Sequence, residues 1–511
     1  MNFQEQLALL PDYLIAHLQL TLVALGLGIG LSLPLGLLAA RVRWLEQAVL
    51  GIASIIQTIP SLALLAVIVP ILAALHFPSI GYLPAVIGLT LYSLLPILRN
   101  TVTGLHGIDP AYVEAALGVG MTPAQQLFRV ELPLAMPVIV AGIRTATVWT
   151  VGIATLSTPI GAPSLGNYIF TGLQTRNYAS VIVGSVSAAG LALLLDGLVR
   201  MLEAGLQREK RTLVSVALGL FAILIGVTAW TSIRSFTKSD AALITVGAKT
   251  FTEQYILSEI LAQKMQRDTK LPTKVLSSLG STVAFDALRS GQIDVYVDYS
   301  GTIWATIMQR ANVPQDRSTL LSEVQTFLQK EHGIVIPGAL GFENTYALAM
   351  RCEQAKALGI RQIGDLRNHA AQMTIGGDYE FFGRPEWKAV TETYGLAFAK
   401  TRSMDPTLMY QAAANKTVDV ISAFSTDGRI AAFDLCILED NRGAIPPYDA
   451  VILASPRVVR DHPDVIRSLQ GLAGTINADR MRRLNLLVDQ EKQSPAQVAE
   501  TFLRELPTPK Q

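Results

Sequence analysis

Charge is in short supply here. Only 16% of the 511 residues are Asp, Glu, Lys or Arg, where a soluble domain carries about 25%. The shortage is uneven. Residues 14–230 are mostly Leu, Ala, Ile, Val and Gly, whereas 238–511 carry charges throughout. A single soluble globule is thereby excluded, and a membrane half followed by a soluble half, joined near 233–241, is expected. An excess of either sign is also missing. The formal net charge of +1 gives no basis for a nucleic-acid partner. Cysteine occurs twice, at Cys352 and Cys436, too seldom for a disulfide framework or a metal site. Two free buried thiols are expected, with a single bridge the alternative in an oxidising compartment. A basic start is missing too, since the N-terminal stretch carries Glu5 and Asp12, so no cleavable signal peptide is read. Neither an internal repeat nor a low-complexity tract is visible. A Walker A pattern is absent: "GAKTFTEQ" (247–254) resembles a phosphate loop only superficially, because the glycine spacing before Lys249 is wrong. The soluble half holds no Ser-His-Asp, Cys-His or metal-ligand spacing, and His332 and His369 stand alone. No catalytic residue, metal or cofactor is therefore expected.

Long apolar runs, by contrast, are plentiful. A spanning helix needs roughly 20 apolar residues, and six spans are expected near 18–40, 48–75, 82–98, 134–156, 181–202 and 213–230. Basic residues orient them. Arg41 and Arg43 follow the first run, and Arg208, Lys210 and Arg211 precede the sixth, so both connections belong in the cytoplasm. Parity then starts the chain outside and leaves 238–511 outside.

By the same parity the third connection, 99–133, is cytoplasmic. It holds the polar stretch "YVEAALGVGMTPAQQLFRVELPLAMP" (112–137). Asp109 is a plausible N-cap with Pro110 at the first helical position. Gly118 and Gly120 are expected to end that helix. Thr122 and Pro123 start a second one, which Pro133 is expected to stop. A short helix, a glycine break and another helix make an elbow suited to a partner's groove. Glu114-Ala115-Ala116, then Gly120, then Leu132-Pro133 resemble the EAA loop of ABC importer permeases. In that family the loop is the coupling helix seated in a cleft of the cytoplasmic ATPase. The resemblance implies a separate ATPase polypeptide, in two copies, and a homodimer of this chain forming the pore.

The soluble half alternates strands and helices, the pattern of an α/β fold. "ALITVGAKTFTEQYILSEILAQKM" reads as strand, loop and helix, with Thr252 as N-cap. "LGSTVAFDALRSGQIDVYVDYSGT" reads as a helix stopped by Gly291 and a strand at 293–297. Ligands of such folds bind at the carboxyl ends of strands. The loops expected there carry Phe251, Tyr299, Tyr346, Tyr379, Phe381, Phe382, Phe424 and Tyr448. Their polar neighbours include Gln254, Thr302, Asn344 and Arg384. Aromatic faces attract a quaternary ammonium, which cannot donate hydrogen bonds. Arg384 suits a carboxylate held by two parallel bonds. Asp298 and Glu380 add acidic contacts that would favour a cation. Ordinary core or hinge packing is the competing account of any one of these rings.

"FTEQYILSEIL", "IDVYVDYSGT", "NTYALAM", "STDGRI" and "PPYDA" together resemble the substrate-binding proteins of osmoprotectant importers for glycine betaine, carnitine and choline. Fusion of permease and binding domain in one chain is known in that family, and a close relative imports ergothioneine, a trimethylated histidine betaine. The resemblance implies cage rings at Tyr299, Tyr346 and Tyr448, and polar contacts from Gln254, Thr302 and Asn344. Phe424 stands where a Tyr is expected before "STDG", which keeps a ring face and loses a hydroxyl. The loop "DYEFFGRPEW" departs from the form of the best-known choline binders, so the ligand within the class stays open. The expected organisation is an α-helical permease of about six spans at 1–212, a sixth span and linker at 213–239, and a two-lobed, periplasmic-binding-protein-like α/β domain at 240–511. The permease sits in the bacterial inner membrane and the last domain outside it. Two rivals remain. A ligand-gated channel needs a re-entrant filter segment, and none is read here. A sensor needs a cytoplasmic output domain, and the chain is read as ending outside.

Overall fold

The structure is a computed structural model that describes residues 3–75, 77–175, 177–208, 210–237, 243–310, 314, 316–378 and 380–506. The chain divides into two compact units, one helical and drawn from residues 5–241, the other dominated by 242–511.

The helical unit contains α1 (Phe3–Ala39), α2 (Arg43–Thr58), α3 (Ser61–Ala74), α4 (Tyr82–His106), α5 (Pro110–Gly118), α6 (Pro123–Gln126), α7 (Leu132–Ala154), α8 (Gly166–Gln174), α9 (Tyr178–Gln207) and α10 (Arg211–Thr237). Among the described residues, five helical stretches are long and apolar enough to cross a bilayer: Leu9–Ala39, Tyr82–His106, Pro123–Ile160, Tyr178–Gln207 and Arg211–Thr231. The expected span at 48–75 is not one helix. It is α2 and α3, bent by 102°. Pro60 causes the bend. Its ring disfavours helical geometry in the residue before it, and Ile59 is accordingly extended at φ −69°, ψ 129°. Such a pair has the shape of a broken span or of a re-entrant loop, a shape absent from the reading of the sequence. Small residues let the helices close up: a Cβ on Gly142 of α7 would lie 2.5 Å from the Asn100 Cβ of α4.

The elbow forms largely as its residues dictate. The Asp109 carboxylate accepts from the Ala111 N–H at 2.9 Å, and Pro110 opens α5. Gly118 closes it, and Gly120 takes φ +80° in the turn. Thr122 and Gln125 form a reciprocal capping box at the start of α6. Pro133 does not stop the helix as expected. A π turn, Leu127–Glu131, precedes it, and the Leu132 N–H reaches back five residues to the Leu127 carbonyl. The wider turn takes the strain out of the proline's missing N–H and ring, so α6 runs on into α7. Glu131, buried in this turn, accepts from Gln126 Nε2 at 2.5 Å and pairs with Arg41 beyond the end of α1.

The second unit has two five-stranded sheets. The first runs β2-β1-β3-β10-β4, from β1 (Ile244–Lys249), β2 (Thr273–Leu279), β3 (Val295–Tyr299), β4 (Ala339–Glu343) and β10 (Asp449–Ala454). The second runs β7-β6-β8-β5-β9, from β5 (Tyr346–Arg351), β6 (Thr374–Gly377), β7 (Lys400–Ser403), β8 (Val420–Phe424) and β9 (Leu435–Leu438). In each, two parallel pairs are joined by an antiparallel strand arriving from the other lobe: β10 against β3, β5 against β8. The central strands β3 and β10 are buried throughout, which is why they read as apolar runs. The chain crosses between lobes at Asn344–Thr345 and again at 439–448. Thr252 is not the N-cap of α11 (Thr252–Thr269). Phe251 holds that position, and the Thr252 hydroxyl donates instead to Asp489 at 2.7 Å.

Cys352 and Cys436 form a disulfide, which corrects the expectation of two free thiols. The antiparallel pairing of β5 with β9 sets Met350 opposite Cys436, so Cys352 comes beside it. Their separation of 84 residues hid that neighbourhood in the sequence.

Candidate functional site

Each lobe delivers aromatic rings to one cleft, from the carboxyl ends of its parallel strands and from the amino ends of the antiparallel strands beside them. From the first lobe come Phe251 after β1, Tyr299 ending β3 and Tyr448 before β10. From the second come Tyr346 opening β5, Phe424 ending β8 and Phe381 after β6. Phe251 stacks on Tyr299 at 6.2 Å and on Phe424 at 6.3 Å. Tyr346 lies 5.0 Å from Phe424, 5.2 Å from Phe381 and, edge-on, 6.2 Å from Tyr448. The Tyr448 ring rests on Gly301 of "DYSGT", where a Cβ would fall 2.7 Å from it. Only glycine leaves room for that ring.

Polar groups hold these rings. The Tyr299 hydroxyl donates to Glu253 Oε1 at 2.5 Å and accepts from Gln254 Nε2 at 3.1 Å. Gln254 also donates to the Val297 carbonyl at 3.0 Å and is fully buried, so it braces β3. Thr302 is buried one turn beyond Tyr299. Asn344, in the first crossing, donates to Glu253 Oε1 at 3.0 Å while its own carbonyl oxygen is buried without a partner among the described residues. Arg384 sits over the Tyr346 face, its guanidinium carbon 5.4 Å from the ring centre, and bonds Glu380 at 2.6 Å. Its Nε and Nη1 are buried without a hydrogen bond among the described residues, Nη1 lying 3.9 Å from Glu386. Tyr379 lies outside the described residues. The structure thus brings Gln254, Tyr299, Asn344, Tyr346, Arg384, Phe424 and Tyr448 to one locality.

Asp298 is not free to meet a ligand, contrary to expectation. It pairs with Lys249 at 2.5 Å and accepts from the Tyr296 hydroxyl at 2.6 Å. Glu380 is largely exposed and occupied by Arg384. Two other carboxylates, missed in the sequence, are built into the cleft. Glu253 is buried and accepts from Tyr299, Asn344, Thr426 at 2.5 Å and Asn485 at 3.4 Å, which ties both lobes to one group. Burial pushes its pKa up, against the pull of those donors. Glu386 accepts from the Tyr448 hydroxyl and lies 3.9 Å from Arg384. The adjacency of Glu253 to Gln254 was the available signal; Glu386 gave none. Burial first, and neighbouring carboxylates second, push the Tyr299 and Tyr448 hydroxyls far above their ordinary range. Both stay neutral, and their ring faces stay electron-rich.

A cavity of about 330 Å³ backs the crossing strands. Glu343, Thr345, Ala347, Ser425 and Pro447 line it. Tyr346 lines it too, so the cavity adjoins the ring cluster.

Such rings can hold a methylated cation, and the Arg384 guanidinium can hold an anion. Two families match the chain. The substrate binding domain of the ABC-type glycine betaine transport system matches residues 242–505, and the binding-protein-dependent transport system inner membrane component matches 32–208. The ergothioneine transport permease/ergothioneine binding protein EgtU of Helicobacter pylori is 32% identical over 89% of this chain and 83% of its own length. The choline transport system permease protein OpuBB of Bacillus subtilis is 44% identical over 38% of this chain and 89% of its own. The carnitine transport binding protein OpuCC of Listeria monocytogenes is 30% identical over 52% of this chain and 87% of its own. Family membership implies an ATPase partner and a small ligand, and it decides against a channel or a sensor. The chain belongs to the ABC importers of the glycine betaine, choline and carnitine type, with permease and substrate-binding domain fused in one membrane polypeptide.

Proposed function

We infer that this importer captures trimethylammonium solutes in the ring cleft, with Tyr299, Tyr346 and Tyr448 as the cage and Phe424 closing one side. Arg384 takes the solute's carboxylate. Asn344 and Thr302 contribute polar contacts, Gln254 braces Tyr299, and Tyr379 is a further contact to the solute. The observation that carries this reading is Tyr346, touched at once by Phe424, Phe381, Tyr448 and Arg384 from both lobes. Residues 1–212 form the permease in the bacterial inner membrane, 213–239 its last span and linker, and 240–511 the extracytoplasmic domain. Two copies make the pore. Two separate ATPase subunits drive it through the elbow, with Glu114, Ala115, Ala116, Gly120, Leu132 and Pro133 as the docking element.

Calorimetric titration of the full chain in nanodiscs with a betaine panel tests the cage. Each cation–π contact is worth roughly 0.5–2 kcal/mol. Tyr346→Ala should therefore weaken binding by about one to a few powers of ten, and Tyr346→Phe by less, because the ring face is retained. Glycine and dimethylglycine binding as tightly as every trimethylated compound would sink the cage. An ergothioneine-type betaine is the second reading, supported by the similarity to the Helicobacter pylori relative along 89% of this chain.

A further inference from the structure

One carboxylate sits where the parts of the cleft meet. Glu253 lies in the first turn of α11, in the first lobe, and is 2% exposed. Its Oε1 accepts from the cage ring Tyr299 and from Asn344 in the first crossing. Its Oε2 accepts from the Thr426 hydroxyl at 2.5 Å and from Asn485 Nδ2 at 3.4 Å. Thr426 belongs to the second lobe, two residues beyond the Phe424 ring that ends β8. Asn485 lies on the helix Ala478–Asp489, which packs on α11 and β4 of the first lobe, and it donates also to the Thr426 carbonyl at 2.8 Å. The loop after β8 lies close against that helix: a Cβ on Gly428 would fall 3.1 Å from the Leu486 backbone nitrogen. The same loop is tied to the crossing, where the Ser425 N–H donates to the Thr345 carbonyl at 3.0 Å.

A carboxylate offers about four lone-pair sites, and at Glu253 each has a donor from the chain. Nothing is left over for a solute's own donors, so Glu253 acts by fixing other groups. Tyr299 and Asn344 reach it from its own lobe and from the crossing, whereas Thr426 reaches it from the opposite lobe. Parting the lobes exchanges the Thr426 bond for a bond to water. The net gain on closing is then that of a hydrogen bond to a charged group, roughly ten-fold to a hundred-fold in an equilibrium. The same parting draws Phe424 off Phe251, because ring and hydroxyl share one short loop.

We propose that Glu253 is a positioning residue that couples closure of the two lobes to assembly of the cage. By gripping Thr426 it brings Phe424 against Phe251, and by gripping Tyr299 it sets the ring that Phe251 stacks on. It governs how long a solute stays in the cleft and does not choose among solutes. The effect on solutes rests on the cleft being the ligand site; the grip between the lobes does not.

Solute release and lobe separation, measured on the same full chain in nanodiscs, test it. Dyes attached through a ketone-bearing amino acid at Lys274 on β2 and Lys400 on β7, exposed positions on edge strands of the two sheets, report the separation and leave the disulfide intact. Glycine betaine, choline and carnitine are the probes. Thr426→Val keeps the side chain's shape and removes its hydroxyl. Each probe should then leave about ten-fold faster or more, by a common factor within about two-fold, and fewer molecules should hold their lobes together. Thr426→Ser restores the donor and should recover both properties. Glu253→Gln is a second route that keeps shape; it replaces one acceptor oxygen by an NH₂ group and should move both properties in the same direction as Thr426→Val. Wild-type release and separation in Thr426→Val, or no recovery in Thr426→Ser, overturns the proposal. A loss confined to one probe with the separation unchanged also overturns it, because Thr426 or Glu253 would then touch the solute directly. If no probe binds the wild-type chain more tightly than glycine, the cleft reading fails by itself. The grip is then decided by the separation alone, and an unchanged value in Thr426→Val overturns it.

Discussion

Arg384 bonds Glu380 through Nη2, while its Nε and Nη1 make no hydrogen bond among the described residues and Nη1 lies 3.9 Å from Glu386. Arg384→Ala should therefore weaken a carboxylate-bearing betaine far more than choline, which has nothing to clamp; equal losses in parallel titrations would remove the carboxylate assignment. Asp489 makes a second residue-level test. It is buried beside Asp427, Arg429 and Lys492 and accepts from Thr252, and burial, then Asp427, push its pKa up to about 7. A raised carboxyl favours the folded state only while protonated. That contribution is complete below the ordinary value near 3.8 and is lost as pH rises toward about 7. The melting temperature of Asp489→Asn minus that of wild type should therefore climb between pH 4 and 7, reflecting on the order of a few kcal/mol. A flat difference across that window would show that Asp489 titrates as in the unfolded chain. The rings were legible in the sequence because aromatic residues clustered at strand ends, where ligands bind. Glu253 and Glu386 were not. Their role depends on burial and on partners such as Thr426 and Tyr448, 173 and 62 residues away, and no local pattern encodes those distances.

Local rules fixed most of the secondary-structure elements, and two prolines and Thr252, whose hydroxyl is taken by Asp489, account for exceptions. The caps at Asp109 and Thr122 followed from residue type alone. Two prolines misled in opposite senses: Pro60 bends a pair read as one span, and Pro133 is absorbed by a π turn and fails to stop a helix. The elbow's working parts can be tested separately. Gly120 holds φ +80° with open space around its Cβ position, so Gly120→Leu adds backbone strain of about 1–2 kcal/mol without a clash at Cβ. Uptake and ligand-stimulated ATP hydrolysis should fall together while solute binding to the same preparation is unchanged; full transport would argue against coupling through this turn. Glu131, clamped by Arg41 and Gln126, joins the elbow to the end of α1. Arg41→Glu should lower uptake, and the exchanged pair Arg41→Glu with Glu131→Arg should recover much of it. No recovery, with both proteins accumulating normally, would mean the pairing is incidental.

At the scale of the whole molecule, fusion commits one binding domain to each permease, and sidedness becomes the main question. On a background lacking Cys352 and Cys436, single cysteines at Ser239 and at Arg208 can be probed with an impermeant thiol reagent. Labelling at 239 and protection at 208 is the expected outcome, because the basic connection before the last span belongs inside; the reverse pattern would invert the topology. The two-half organisation was legible because bilayer and water demand different compositions. The pairing of the cysteines was not, because it depends on which strands become neighbours. That pairing has a consequence for the life of the molecule. A bond of this kind is seldom kept in a reducing cytoplasm, so on the orientation proposed above a newly made chain should begin as a dithiol and change once, when its last domain is exported. The oxidation state of Cys352 and Cys436 would then act as a date stamp, separating molecules that have completed export from those still in transit.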